Sequence, residues 1–240
     1  MDTAERPAHK AGATKEGPVS LSEKIGDIIT RSRMVLIGLG VAILVVLFAI
    51  AIVTQLRASG DKSAAIRMDQ LVRDGSAWSS ETDTAKKADL EKKLIAGLDG
   101  VVAKHKGSVW AQQAWDMKAT IAESRGDWTE SEKDWMEASK ILPDSFMAPA
   151  SLQNAAAAAE ELGASDRAIQ HWKAFVDRYA GKSVGIPHAW FALGRLSEEG
   201  KDYVAALSDY EKIVASWPDS DWTKLAKDRI LSLRSRGLAK

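Results

Sequence analysis

The sequence predicts an all-α protein in which one transmembrane helix leads into a right-handed superhelix of short helix pairs. Three observations predict it. An uncharged apolar run of 23 residues lies between Arg33 and Arg57. A pattern of large and small residues recurs three times in tandem after residue 110. Pro is scarce, at 6 residues, while charged residues make up 28% of the chain and Ala is abundant, a composition that favours helix.

A chain of 240 residues has room for one or two modest domains. Lys plus Arg and Asp plus Glu both number 33, so no basic surplus is available for phosphate contacts, and a general nucleic-acid binder is excluded. There is no Cys, which excludes a disulfide framework and thiolate metal or redox sites without assigning a compartment.

Residues 1–19 are polar, carry Pro, Gly and mixed charge without periodicity, and are expected to be disordered. Residues 20–33 open with Ser20 and Glu23, a capping box, followed by Leu21, Ile25, Ile28 and Ile29 on one helical face. They read as a juxtamembrane amphipathic helix or as an extension of the span behind it. The run at 34–56, as a helix, extends roughly 35 Å, enough to cross a hydrocarbon layer of about 30 Å. "ASG" at 58–60 resembles a cleavage site, but the apolar run is too long for a signal peptide, so an uncleaved anchor in the lipid bilayer is expected. Gly38 and Ala42 form a small-residue pair that leaves a homo-oligomer open.

Residues 57–240 form the expected repeat domain. Its clearest segment carries Trp190, Leu193, Gly194, Ala206, Tyr210, Ile213 and Pro218. The same frame holds Trp115, Ala119, Gly126, Ser131, Trp135, Ala138 and Pro143. It returns with Leu152, Ala156, Gly163, Ala168, Trp172 and Phe175. The three frames begin near 112, 149 and 187. The mechanical reading is two antiparallel helices that approach at Gly194 and Ala206, with large side chains filling the space around them and Pro218 ending the second. Gly200 is expected at the turn. The segment from Ser220 to Gly237 supplies a capping helix through Trp222, Leu225, Ala226, Ile230 and Leu231. Residues 61–107 read as a degenerate first helix pair joined by the loop "SAWSSE".

These residues resemble the tetratricopeptide repeat, whose pattern W-x2-L-G-x2-Y, A-x3-F, P occupies about 34 residues. Only Ser197 departs in the third frame, where Tyr is usual. The resemblance implies a concave face lined by first-helix residues. Here these are Gln113, Asp116, Thr120 and Glu123, then Gln153, Ala157, Glu160 and Glu161, then His188, Phe191, Arg195, Glu198 and Glu199. The face is expected to be polar and acidic with one exposed aromatic, a partner-binding groove in which Phe191 and Arg195 anchor the ligand free of packing duties. The chaperone-binding subfamily that grips a C-terminal carboxylate uses Lys and Asn at set positions. Asn154 stands at one of them, but Asp116, Thr120 and His188 stand at others, and that clamp is rejected.

No catalytic residue, metal site or cofactor is expected. His9, His105, His171 and His188 have no ligand spacing, and no G-x-S-x-G, P-loop or dinucleotide glycine pattern occurs. The chain is not expected to be an enzyme.

One span followed by about four helix pairs resembles the YfgM-like family of membrane-anchored tetratricopeptide proteins, ancillary subunits of the Sec translocon. The resemblance rests on the span at 34–56 and the repeats at 112–220. It implies a bacterial inner-membrane protein, single-pass, with cytoplasmic N-terminus and periplasmic repeat domain. Its implied partners are Sec translocon subunits and a membrane-anchored periplasmic chaperone, and its implied function is assistance to protein translocation or chaperone recruitment. Charge does not orient the span: Lys24, Arg31 and Arg33 precede it and Arg57, Lys62 and Arg67 follow. A second function class stays open, a scaffold for another membrane assembly, envelope or flagellar, facing the cytoplasm.

Overall fold

A computed structural model of the chain describes the backbone of residues 33–239 and the side chains of 46–50 and 60–239. The tail expected at 1–19 lies outside the described residues, as does the helix expected at 20–33 apart from Arg33. So do most side chains of the run at 34–56. Among the described residues there are nine α-helices and no strand. The chain divides into two units, Met1–Ala58 and Ser59–Lys240.

In the first unit the described backbone is the beginning of α1 (Arg33–Ser80). Val46, Leu47, Phe48 and Ile50 are exposed on it. Among the described residues, no helix is long and apolar enough to cross a membrane.

The second unit takes α1 from Ser59 onward and eight further helices. These are α2 (Thr84–Lys104), α3 (Val109–Ser124), α4 (Trp128–Ile141), α5 (Ala148–Glu161), α6 (Ser165–Tyr179), α7 (Ile186–Glu199), α8 (Tyr203–Ser216) and α9 (Asp221–Ser235). Their starts are written locally. Asp83, Ser108, Asp127, Asp202 and Ser220 each accept a backbone N–H from the first turn of the helix they open. Pro149 and Pro187 occupy the first turns of α5 and α7, where no intrahelical donor is lost.

Three helix pairs match the three frames, α3–α4, α5–α6 and α7–α8, and α9 covers the last. Ala206, Leu207, Tyr210 and Ile213 of α8 share one buried cluster with Ala226, Ile230 and Leu233 of α9. Leu152, Ala156 and Ala159 of α5 join Trp172, Phe175 and Tyr179 of α6 and Ile186, Leu193 and Leu196 of α7. Gly194 is small for a more specific reason than backbone approach: a Cβ there would meet Cε1 of Tyr210 at 2.6 Å. The ring of Tyr210 on the second helix occupies the space the glycine leaves.

One expectation is corrected. "SAWSSE" is not a loop. Helix α1 runs through it to Ser80, and only Glu81, Thr82 and Asp83 separate α1 from α2. Ser76 and Ser80 donate to the carbonyls of Val72 and Ser76, and Trp78 is buried with Met68 and Leu71 against Leu94, Leu98 and Val101 of α2. Burial of that indole outweighs the poor helix propensity of the serines around it. Gly200 lies at the third repeat turn, as expected, but does not carry its left-handed residue. Gly126 and Gly163 take the left-handed conformation, at φ 72° and 66°. In the third repeat the equivalent residue is Lys201, at φ 65°, while Gly200 stays right-handed at φ −73°. The glycine sits one residue too early to relieve the turn.

Candidate functional site

The first-helix face divides into two parts. At the α3 end, Gln113, Asp116 and Thr120 line a hollow of about 580 Å³. Its other walls are Val72, Gly75 and Trp78 of α1, Leu94 of α2, Met117 and Ile121 of α3, and Met147. Most of the exposed wall surface is apolar; the polar groups come from α3 and from Ser76, Ser79 and Ser80 of α1. Asp116 accepts from Ser151 Oγ at 2.8 Å. Burial raises its carboxyl to about 6, against the opposing effect of that hydrogen bond. Thr120 is exposed and its hydroxyl donates to the Asp116 carbonyl at 3.0 Å. The indole Nε1 of Trp78 is buried and has no hydrogen-bond partner among the described residues.

At the α7 end the expected anchors are not free. Phe191 is half-buried, its ring centroid 5.4 Å from that of Tyr210 and 5.3 Å from that of Trp222. His188 stacks on Trp222 at 4.4 Å and meets Trp172 edge-on at 5.1 Å. Burial pushes the His188 pKa down, with Glu160 acting in the opposite sense. Arg195 is ion-paired to Glu160 and donates to Glu199 at 2.7 Å. Arg229 of α9 donates from Nε to Glu198 at 3.0 Å. Phe191, Arg195, Glu198 and Arg229 surround a smaller depression of about 340 Å³. Gln153 is packed under the loop before α7, where a Cβ on Gly185 would meet its Nε2 at 2.5 Å. The acidic groove with one exposed aromatic is therefore corrected: Glu160 and Glu198 are neutralised by arginines, and the aromatic is half-buried between the tilted rings of Tyr210 and Trp222.

A single circuit explains these glutamates. In each repeat an aromatic residue of the second helix donates to a glutamate twelve residues before it. Trp135 Nε1 donates to Glu123 at 2.6 Å, Trp172 Nε1 to Glu160 at 2.6 Å, and Tyr210 Oη to Glu198 at 3.3 Å. The two later glutamates also receive an arginine from the following element, Arg195 on Glu160 and Arg229 on Glu198. Glu123 receives Ser131 Oγ at 3.2 Å instead and has no arginine among the described residues, because α5 carries exposed Ala157 where α7 carries Arg195.

The signature residues fall where packing needs them. Ala119, Trp135, Ala156, Ala168, Trp172, Leu193, Gly194, Ala206 and Tyr210 are buried. Trp115 and Trp190 are half-buried, each with a lysine over its ring, Lys118 at 4.1 Å and Lys212 at 3.9 Å. Pro143 and Pro218 are exposed just past α4 and α8, and the Pro143 carbonyl accepts Tyr179 Oη at 3.0 Å.

A buried charge lies behind the α3 end. Asp134 is almost wholly buried and neither carboxylate oxygen has a hydrogen-bond donor among the described residues. Lys118 Nζ lies 3.9 Å from it and 2.9 Å from Asp99. Burial raises Asp134 to about 6, against the attraction of Lys118. No group of three metal-ligating side chains occurs among the described residues.

Sequence reading missed the walls of the hollow contributed by α1 and α2, and the role of α9 as the source of Arg229 and Trp222. A signal for the second existed: Arg195 follows Glu160 by 35 residues, and Arg229 follows Glu198 by 31. The first had none, since Gly75, Trp78 and Leu94 belong to no recognisable repeat frame.

A family model described as tetratricopeptide repeat matches residues 188–220, which span α7, α8 and the turn into α9. No curated protein matches the chain.

Proposed function

We propose that the protein is a membrane-anchored, non-catalytic scaffold that binds other proteins through the α3 end of its first-helix face. The family match supports the coarser part: tetratricopeptide repeats mediate protein–protein interaction. The observation that carries the rest of the site is the hollow beside Asp116. It is a concave receptacle of mostly apolar surface with polar groups from both α1 and α3, a form that can anchor an apolar side chain of a partner and orient its polar neighbours. The α7 end presents no comparable receptacle, because its charges and rings are already engaged.

The anchor in this reading is the uncharged run at 34–56, placed in a bacterial inner membrane with the repeat domain in the periplasm. The partners proposed are Sec translocon subunits and a membrane-anchored periplasmic chaperone, by resemblance to the YfgM-like family. Thr120→Trp provides the test. Thr120 is exposed, so a bulky residue there fills the hollow without entering the core. Full-length protein solubilised in detergent should co-purify with Sec channel subunits, read by mass spectrometry, and the variant should lose them. Recovery of envelope or flagellar structural proteins instead would replace the translocon by the second function class. Equal recovery by the variant would remove the hollow from the binding site.

A further inference from the structure

The loops that lead into the first helices of successive repeats lie side by side along one edge of the second unit. Ser145 Oγ donates to Gln112 Oε1 at 2.8 Å, Tyr179 Oη reaches the Pro143 carbonyl, and Gln153 sits under Gly185. In three of these loops a serine is followed directly by an apolar residue: Ser108 by Val109, Ser145 by Phe146, Ser183 by Val184. Their exposures are 37%, 87% and 100%, and none belongs to a core cluster. One exposed apolar residue is ordinary surface; the same exposure at equivalent places in three successive repeats is a feature of the edge. Lys104, Lys106 and Lys182 flank these residues, Lys182 with Asp144 at 4.0 Å.

The chain enters the second unit at this same edge. Helices α1 and α2 are antiparallel, with Gly75 beside Leu94 and Gly97 beside Leu71. Carried to the end of α2, that register sets Lys104 near Ala64, so the loop after α2 lies beside the first residues of the unit, from Gly60 onward. The uncharged run of the sequence ends at Leu56, only four residues earlier.

We infer that this edge, through Phe146, Val184 and Val109, rests on the lipid surface in which the chain is anchored. The inference rests on the anchor reading above. Apolar tips would enter the headgroup boundary while the neighbouring lysines meet anionic headgroups, the arrangement of interfacial contact without spanning. The opposite edge carries its own control. Val204, at the start of α8, is 74% exposed but follows the turn at Lys201, on the far side of the repeats.

The chain contains no Cys, so Phe146→Cys, Val184→Cys and Val204→Cys each offer one labelling site in the full-length protein. Each variant is labelled with an environment-sensitive fluorophore and reconstituted into phosphatidylethanolamine–phosphatidylglycerol vesicles. At 146 and 184 the emission should shift to the blue and be lost when a quencher is attached to the lipid headgroups; at 204 neither should occur. Equal behaviour at all three sites in protein that floats with the vesicles overturns the inference and leaves the anchor standing. Protection of 146 and 184 from a water-soluble quencher without response to the lipid-borne one means a second copy covers the edge, and also overturns it. Protein that fails to float overturns both readings.

Discussion

At the α3 end of the first-helix face, Asp116 and Thr120 stand beside a hollow of about 580 Å³. At the α7 end, Phe191, Arg195 and Glu198 hold α7 against α5, α8 and α9. At equivalent places the two ends share only Glu123 and Glu198; Asp116 stands where α7 has Phe191 and Thr120 where it has Arg195. They differ in what the next element offers. Where a following helix supplies an arginine and an aromatic ring, a surface glutamate becomes part of an ion-paired seam. Where α5 supplies Ala157, Glu123 is left without an arginine and the ion-paired seam does not form. A ligand-facing position in a helical repeat is thus free only if its neighbour leaves it so.

The comparison can be broken most severely at the close-packed end. Ala206 is fully buried, and Ala206→Trp should cost about 3 kcal/mol or more by overpacking. Urea unfolding followed by circular dichroism measures it. An unchanged midpoint would mean that α7 and α8 do not meet there.

Removing a glutamate tests the seam itself. Glu160→Ala strands the Trp172 indole and frees Arg195 from α5, at about 2 kcal/mol. Glu123→Ala strands Trp135 without releasing a cation, and should cost less and depend less on salt. Chemical melts of both variants at low and high salt decide this. Equal costs with equal salt dependence would show that the arginines add nothing.

Acidification should act on the two ends in opposite directions. Asp116 and Asp134 have carboxyls raised to about 6 by burial. A folded pKa above the unfolded value means stability that is fully present below about pH 4 and lost as pH rises through about 6. His188 is lowered by burial, so its contribution is present above its unfolded pKa and lost as pH falls below it. Asp134→Asn should therefore raise the Tm at about pH 7.5 and change it little at about pH 4. His188→Phe should soften the loss on acidification. Parallel pH profiles for variants and wild type would contradict both assignments.

The smallest effect belongs to the third turn. Lys201→Gly relieves a left-handed lysine and should stabilise by about 0.5–1 kcal/mol, less than the full left-handed penalty because glycine also loosens the unfolded chain. The same measurement on Gly126→Lys should show a loss of similar size.

Helix pairing and the cap were legible because Trp190, Gly194, Ala206 and Tyr210 recur in a register that packing demands, and packing between sequence neighbours leaves a periodic trace. The turn at Gly200 was legible, but not its left-handed residue: hydrogen bonding from Lys201 N–H to the Glu198 carbonyl and from Asp202 N–H to the Ser197 carbonyl sets that residue one place later. The site was less legible than the fold. Arg195 and Phe191 look free in sequence since their partners, Glu160 and Trp222, lie more than thirty residues away and in other repeats. Trp78 was placed in a loop because its serine-rich surroundings are a local signal and its burial is not.

The glutamate, aromatic and arginine of each seam come from two different repeats, and this limits how such a chain can grow by duplication. A copy of α5–α6 inserted before α7 would bring Ala157 to the preceding Glu160 and leave that carboxylate without its cation. A copy of α7–α8 inserted before α9 would bring Arg195 to the preceding Glu198, and its own Glu198 would still find Arg229. Lengthening at the C-terminal end preserves every contact of the seam, whereas lengthening one repeat earlier breaks one. Longer relatives descended by internal copying should therefore carry their extra pairs next to the cap.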